Sequence, residues 1–230
     1  MLKEKRTRNE EGKSGMDSAK KTGAGVGKFI AMEGIDGSGK STQIKMLYEK
    51  MKKEGMVCYT TMEPTDSPIG SLIRQVLTGR LKMDNRALAA LFVADRLDHL
   101  LNDVNGLVHK ISDGVNVITD RYYFSSYAYH SVDMPMEWVI KANEQSSNIL
   151  RPAVTIFIDI SPDAALERIT KNRFQKELFE EKNRLTQVRE KYMEAFELLK
   201  AEENVVIVDG DRSEQEIADD IWERVKGYLK

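Results

Sequence analysis

Gly34, Ile35, Asp36, Gly37, Ser38, Gly39, Lys40, Ser41 and Thr42 satisfy the pattern Gly-x-x-x-x-Gly-Lys-Ser/Thr, directly after the apolar stretch 28–33 (KFIAME). A loop of this kind, between a strand and the start of a helix, handles the phosphates of a nucleoside triphosphate. Its glycines let backbone N–H groups close around an anion, and the following helix adds the positive end of its dipole. Lys40 is then placed for the β- and γ-phosphates and the Ser41 hydroxyl for Mg2+. A glycine-rich run just upstream, 23–28, fails the same test. Thr22 stands where the first glycine is needed, Phe29 stands where the hydroxyl is needed, and no strand precedes it. It reads as a flexible linker.

Other residues suit a second, phosphorylated substrate. Asp120 ends the apolar stretch 115–119 (VNVIT) and is followed by Arg121 and Tyr122. A carboxylate there either organises Mg2+ through Ser41 or water, or caps the next helix. Phe92 and Arg96 are four apart, so on a helix they present a stacking ring and a bidentate donor on one face. As bare residues they read equally as a core aromatic and an ion-pair partner of Asp95 or Asp98. Arg74, on the helix after Glu63 and Pro64, is placed either for an acceptor phosphate or for solvent. Asp36 inside the loop would be repelled by a nucleotide, so its use is for a hydroxyl, a water-bound metal or an arginine. His99, His109 and His130 lack metal-ligand spacing and read as surface or helix-face residues.

These groups need a scaffold, and the remaining pattern supplies one. Short apolar runs near 28–33, 56–61, 115–119, 153–159 and 204–208 alternate with amphipathic stretches, the signature of βα units. Helices are expected over 40–54, 67–78, within 84–112, and over 135–149, 162–171, 182–202 and 213–229. Ser161 before Pro162, and Ser213 three residues before Glu216, mark two helix starts. The order predicts an α/β fold whose open, five-stranded parallel sheet carries helices on both faces, with ligands beyond the strand C-termini.

Composition narrows the partners. The 230 residues carry 35 Lys and Arg against 37 Asp and Glu, and this near-balance lacks the positive field of a protein that grips DNA or RNA. Cys58 is the only cysteine, which excludes an intrachain disulfide and fits a reducing cytoplasm. No apolar run reaches the ~18 residues of a membrane span, and the N-terminus has no apolar secretory segment. Residues 1–27 are polar and net basic, and they are expected to be a solvated, disordered tail before a single domain over 28–230. An Asn-Lys-x-Asp guanine-reading segment is missing, which sets a GTPase aside.

Four motifs in order, Glu33 to Thr42 (EGIDGSGKST), Glu63-Pro64-Thr65, Leu91 to Arg96 (LFVADR) and Asp120-Arg121-Tyr122 with its trailing Ser and Tyr, resemble thymidylate kinases from about residue 28 to the C-terminus. The resemblance implies a P-loop NTPase fold with a short lid, here about 170–182, and transfer of the ATP γ-phosphoryl group to dTMP with Mg2+. It implies that Phe92 stacks on thymine, that Arg96 and Ser126 contact the base, and that Tyr129 crowds the sugar C2′. Glu63, Pro64, Arg74 and Ser125 belong to the same dTMP site. Asp36 would meet the 3′-hydroxyl and the reacting phosphates, and Arg121 would bridge the acceptor phosphate and the transferred group. Some relatives carry a catalytic arginine in the phosphate loop where this chain has Gly37. Relatives with glycine there place it in the lid, which points to Arg173, with Arg168 serving the donor phosphates. Many relatives read Thr-Arg-Glu-Pro where this chain has Met62 before Glu63. A homodimer is the family expectation. The rival readings are a kinase with another acceptor, such as a deoxynucleoside, and a non-catalytic nucleotide sensor.

Overall fold

The computed structural model describes residues 26–172 and 181–229. Five strands, β1 (Phe29–Glu33), β2 (Cys58–Met62), β3 (Asn116–Asp120), β4 (Val154–Asp159) and β5 (Val205–Asp209), form one parallel sheet in the order β2-β3-β1-β4-β5. Each lies within two residues of its expected bounds. The central strand explains why its sequence is apolar without alternation. Phe29 and Ala31 enter one core while Ile30 and Met32 enter the other, so both faces of β1 are covered.

On one face, Ile44, Leu47 and Met51 of α1 (Lys40–Lys53) pack with Ile217, Ile221 and Val225 of α9 (Glu214–Val225). A capping box starts α9: the Ser213 side chain accepts from Glu216 N–H while the Glu216 carboxylate accepts from Ser213 N–H. The other face carries α4 (Leu107–Ser112), α5 (Tyr123–His130), α6 (Met136–Ile149), α7 (Pro162–Asn172) and α8 (Lys182–Leu199). To one side, α2 (Pro68–Leu77) packs Ile73 and Val76 against Leu88 of α3 (Asn85–Leu101).

Two elements depart from expectation. The segment 84–112 is two helices, because the chain folds back between Asn102 and Gly106 so tightly that a Cβ on Gly106 would lie 2.5 Å from the Asn102 carbonyl. Helix α5 was not foreseen at all. Its eight residues are all buried, which leaves no polar face to give a helical period. Among the described residues, no helix is long and apolar enough to cross a membrane.

Candidate active site

The phosphate loop turns from the buried end of β1 into α1. Gly37 has φ +80°, and a Cβ there would meet the Ala165 carbonyl of α7 at 2.6 Å, so no side chain fits this position. Lys40 is 7% exposed and folded back on the loop. Its ammonium donates to the carbonyls of Gly34 and Ile35, both at 3.1 Å. Burial, reinforced by the charge of Arg121, holds this ammonium down to about 8.

Beyond the C-terminal end of β3, Arg121 adopts a left-handed backbone with φ 71°. Its guanidinium reaches Asp36 Oδ1 at 2.6 Å, the Tyr129 hydroxyl at 3.1 Å, Ser125 Oγ at 2.9 Å and the Gly34 carbonyl at 3.2 Å. The Tyr129 hydroxyl donates in turn to Asp36 Oδ2 at 2.9 Å, and its ring lies 4.8 Å from the guanidinium. Asp36, the acid inside the loop, is thus paired with an arginine. The Ser41 hydroxyl donates to Asp120 Oδ2 at 3.0 Å.

Helix α3 builds the far wall by gripping the loop after β2. Asp95, fully buried, accepts from Thr65 N–H at 2.7 Å, Thr65 Oγ1 at 2.6 Å and Ser67 Oγ at 2.9 Å. Arg96 is 1% exposed; it donates through Nε to Glu63 Oε2 at 2.8 Å and through its terminal nitrogens to Asn143 Oδ1 and Ser126 Oγ. His99 Nδ1 meets the other Glu63 oxygen at 3.1 Å, and its Nε2 lies 2.7 Å from Thr61 Oγ1. Arg74 donates to the carbonyls of Pro64 at 3.0 Å and Thr65 at 2.5 Å. Phe92 faces the His130 ring, 5.1 Å between centroids.

These walls enclose a single cavity of about 800 Å³ lined by the phosphate loop, Glu63, Pro64, Arg74, Phe92, Asp120, Arg121, Ser125, Ser126, Tyr129 and Arg168. Two bound anions, one at each end, fit that arrangement. The family model described as thymidylate kinase matches residues 32–221. A probable thymidylate kinase of Methanocaldococcus jannaschii is 36% identical over 202 residues, spanning 88% of this chain and 95% of the relative. One of Methanosphaera stadtmanae is 37% identical over 206 residues, with 88% and 99% spanned. The thymidylate kinase of Symbiobacterium thermophilum is 35% identical over 209 residues, with 87% and 94% spanned. The chain belongs to the thymidylate kinase family.

Within this thymidylate kinase family member, most of the residues singled out in the sequence converge on the cavity, but Arg96 is not among its lining residues. Arg173 lies outside the described residues, as does most of the proposed lid, while α7 continues through Asn172. Arg168 lines the cavity and donates to the Gly210 carbonyl at 3.0 Å, beside Arg212 and Ser213 of the loop before α9. All three histidines lie on helices as read, and His109 is exposed, whereas His99 and His130 are drawn into the interior. His130 is 4% exposed yet borders the cavity, and burial followed by the charge of Arg96 pushes its imidazolium down to about 3, so it is neutral.

His99, Asn143, His130 and Tyr192 carry no motif signal, because each acts on a residue far away in sequence. Asp95 and Arg96 sit one residue apart in a quoted motif; that adjacency was the available hint that α3 holds the Glu63-Pro64-Thr65 loop. Ser41 and Asp120 supply two hard oxygen donors next to the phosphate loop, and no cluster of three acidic, His or Cys side chains able to hold a metal occurs among the described residues. Such a sparse donor set fits Mg2+, which keeps waters and substrate phosphates as its other ligands.

Proposed function

We propose that this chain passes the γ-phosphoryl group of ATP to the 5′-phosphate of dTMP, releasing ADP and dTDP. The observation that carries the reading is the continuity of one cavity from the phosphate loop to the Phe92 and Arg74 walls. ATP enters with its phosphates in the loop, and Lys40 leaves the Gly34 and Ile35 carbonyls for the β- and γ-oxygens. The thymine lies against Phe92, and Arg74 and Arg121 meet the acceptor phosphate. An acceptor oxygen then bonds to the γ-phosphorus as the bond to the bridging oxygen breaks, and ADP carries the electron pair away. Little covalent chemistry is asked of the protein, so catalysis rests on alignment and on neutralising the spreading charge. Lys40 and Arg121 supply that charge, and Arg173 is proposed to add to it from the lid. Ser41 and Asp120 would hold Mg2+, which would supply positive charge to the phosphate oxygens.

Arg121 cannot serve two anions fully at once. Its pairing with Asp36 at 2.6 Å must loosen as the acceptor phosphate arrives, so that Asp36 can turn toward the sugar 3′-hydroxyl. Tyr129, with its hydroxyl tied to Asp36, closes the side of the pocket where a 2′-hydroxyl would project. A homodimer is supported by exposed apolar side chains at the end of α3, Leu101, and in the turn after it, Val104. A reducing cytoplasm suits the unpaired, half-buried thiol of Cys58.

Following ADP release from purified protein with ATP and dTMP, and separately with thymidine or dUMP, tests the reading. Rapid turnover with dTMP and little with thymidine is expected. Equal turnover with thymidine would refute it, since a nucleoside leaves Arg74 and Arg121 without an acceptor phosphate.

A further inference from the structure

Arg121 holds a positive φ that side-chain-bearing residues rarely adopt, and such a conformation persists only where the surroundings over-determine it. The surroundings are specific. Arg121 N–H donates to the Met32 carbonyl at 2.9 Å, which ties the residue to β1. The next and last residue of that strand, Glu33, is wholly buried, and its Oε1 accepts from the backbone N–H groups of Tyr122 at 2.8 Å and Ser125 at 3.2 Å. Glu33 thus fills the place of a helix cap for α5, which has no side-chain cap of its own. Its other oxygen accepts from the Ser125 hydroxyl at 2.6 Å and the Tyr192 hydroxyl at 2.9 Å. Those two hydroxyls lie 2.8 Å apart and face Arg121 Nη1, at 2.9 Å from Ser125 Oγ and 3.4 Å from the Tyr192 oxygen.

Tyr192 arrives from α8, far along the chain, and α8 is itself fixed near the site. Arg184 pairs with Asp133 at 2.5 Å and Arg189 with Asp159 at 2.6 Å. Neither Glu33 nor Tyr192 lines the cavity. A wholly buried carboxylate that accepts two amides and two hydroxyls is more than the core packing of α8 requires, since Phe157 and Phe196 already pack the Tyr192 ring.

We propose that Tyr192 and Glu33 are positioning residues for Arg121: they fix its backbone and one edge of its guanidinium, so that the opposite edge is presented to the acceptor phosphate. The inference rests on the reading of Arg121 given above. It explains why a buried acid ends β1 and why a tyrosine from α8 reaches across to it.

Tyr192→Phe keeps the ring and removes one oxygen. The expected result is a fall in kcat of ten- to a hundredfold and a several-fold weaker dTMP dissociation constant by calorimetry, with ATP affinity within twofold of native. Ser125→Ala, which removes the other bridging hydroxyl, should reproduce this pattern and serves as the test if Tyr192→Phe folds poorly. Tyr123→Phe is the control. It deletes a buried hydroxyl that donates to Glu203 at 2.8 Å, away from the cavity, and should lower thermal stability without changing kcat. In an Arg121→Ala background, adding Tyr192→Phe should change dTMP affinity less than twofold, because the group being positioned is gone. The inference is overturned if Tyr192→Phe keeps native kcat, if Tyr123→Phe loses as much, or if the Tyr192 effect persists undiminished without Arg121. Native dTMP affinity and turnover in Arg121→Ala would overturn the role of Arg121 itself, and this outcome is distinct from the others.

Discussion

Arg96→Ala separates two roles that the same arginine can play. Direct contact with thymine alone predicts weaker dTMP use, by roughly 1.5–3 kcal/mol for a lost charge-assisted hydrogen bond, in a protein that melts normally. The geometry predicts more. Arg96 and Glu63 are 1% and 2% exposed at the side chain, 2.8 Å apart, with the guanidinium also engaged by Asn143 and Ser126 and lying 5.3 Å from the Tyr122 ring. Removing one member of such a buried pair leaves the other charge uncompensated, which costs about 3–5 kcal/mol. At about 2–4 °C per kcal/mol for a chain of this size, the melting temperature should fall by roughly 6–20 °C. Adding Glu63→Gln, which removes the stranded charge, should recover part of the loss. Thermal denaturation followed by circular dichroism, with KM for dTMP and for ATP measured at 20 °C below each midpoint, gives both quantities. A melting temperature within about 2 °C of native would refute the holding role. A rise in KM for dTMP in that stable protein would return Arg96 to the base.

Lys40 gives a pH signature. Its ammonium is held down to about 8 in the free protein and is needed charged by ATP, so above pH 8 ATP affinity should fall by up to tenfold per unit while binding takes up a proton. Calorimetry at pH 9 in buffers of different ionisation heat checks this, and the absence of proton uptake would count against it. His130, held down to about 3 from an ordinary value near 6.5, stays neutral while the unfolded chain protonates, so stability is lost as pH falls from about 6.5 toward 3, by about 1.4 kcal/mol per unit. Native melting temperature should therefore drop more steeply between pH 7 and 5 than that of His130→Gln; parallel slopes would refute it. Arg74→Ala should raise KM for dTMP by roughly 10- to 100-fold and leave ATP affinity alone. Equal losses for both nucleotides would place Arg74 outside the acceptor end.

The phosphate loop was legible in the sequence because everything it needs is contiguous: a strand, glycines for a backbone that must turn, a lysine and a hydroxyl at a helix start. The five strands were legible for a related reason, since each is a short apolar run between polar stretches. Helix α5 was not, because burial on every side erased the alternation that reveals a helix. Nor could spacing show how Arg96 is used. A buried guanidinium and an exposed one look alike in a motif, and only the approach of Glu63, 33 residues away, and Asn143, 47 residues away, makes Arg96 a buried, paired one. The sequence alone therefore determined the fold class and the donor-phosphate chemistry, which depend on local pattern. The tertiary structure decided which charges are already paired: Asp36 with Arg121, Arg96 with Glu63, and Glu33 with hydroxyls from residues 92 and 159 positions distant. Pairing depends on distance and desolvation, and a linear pattern encodes neither.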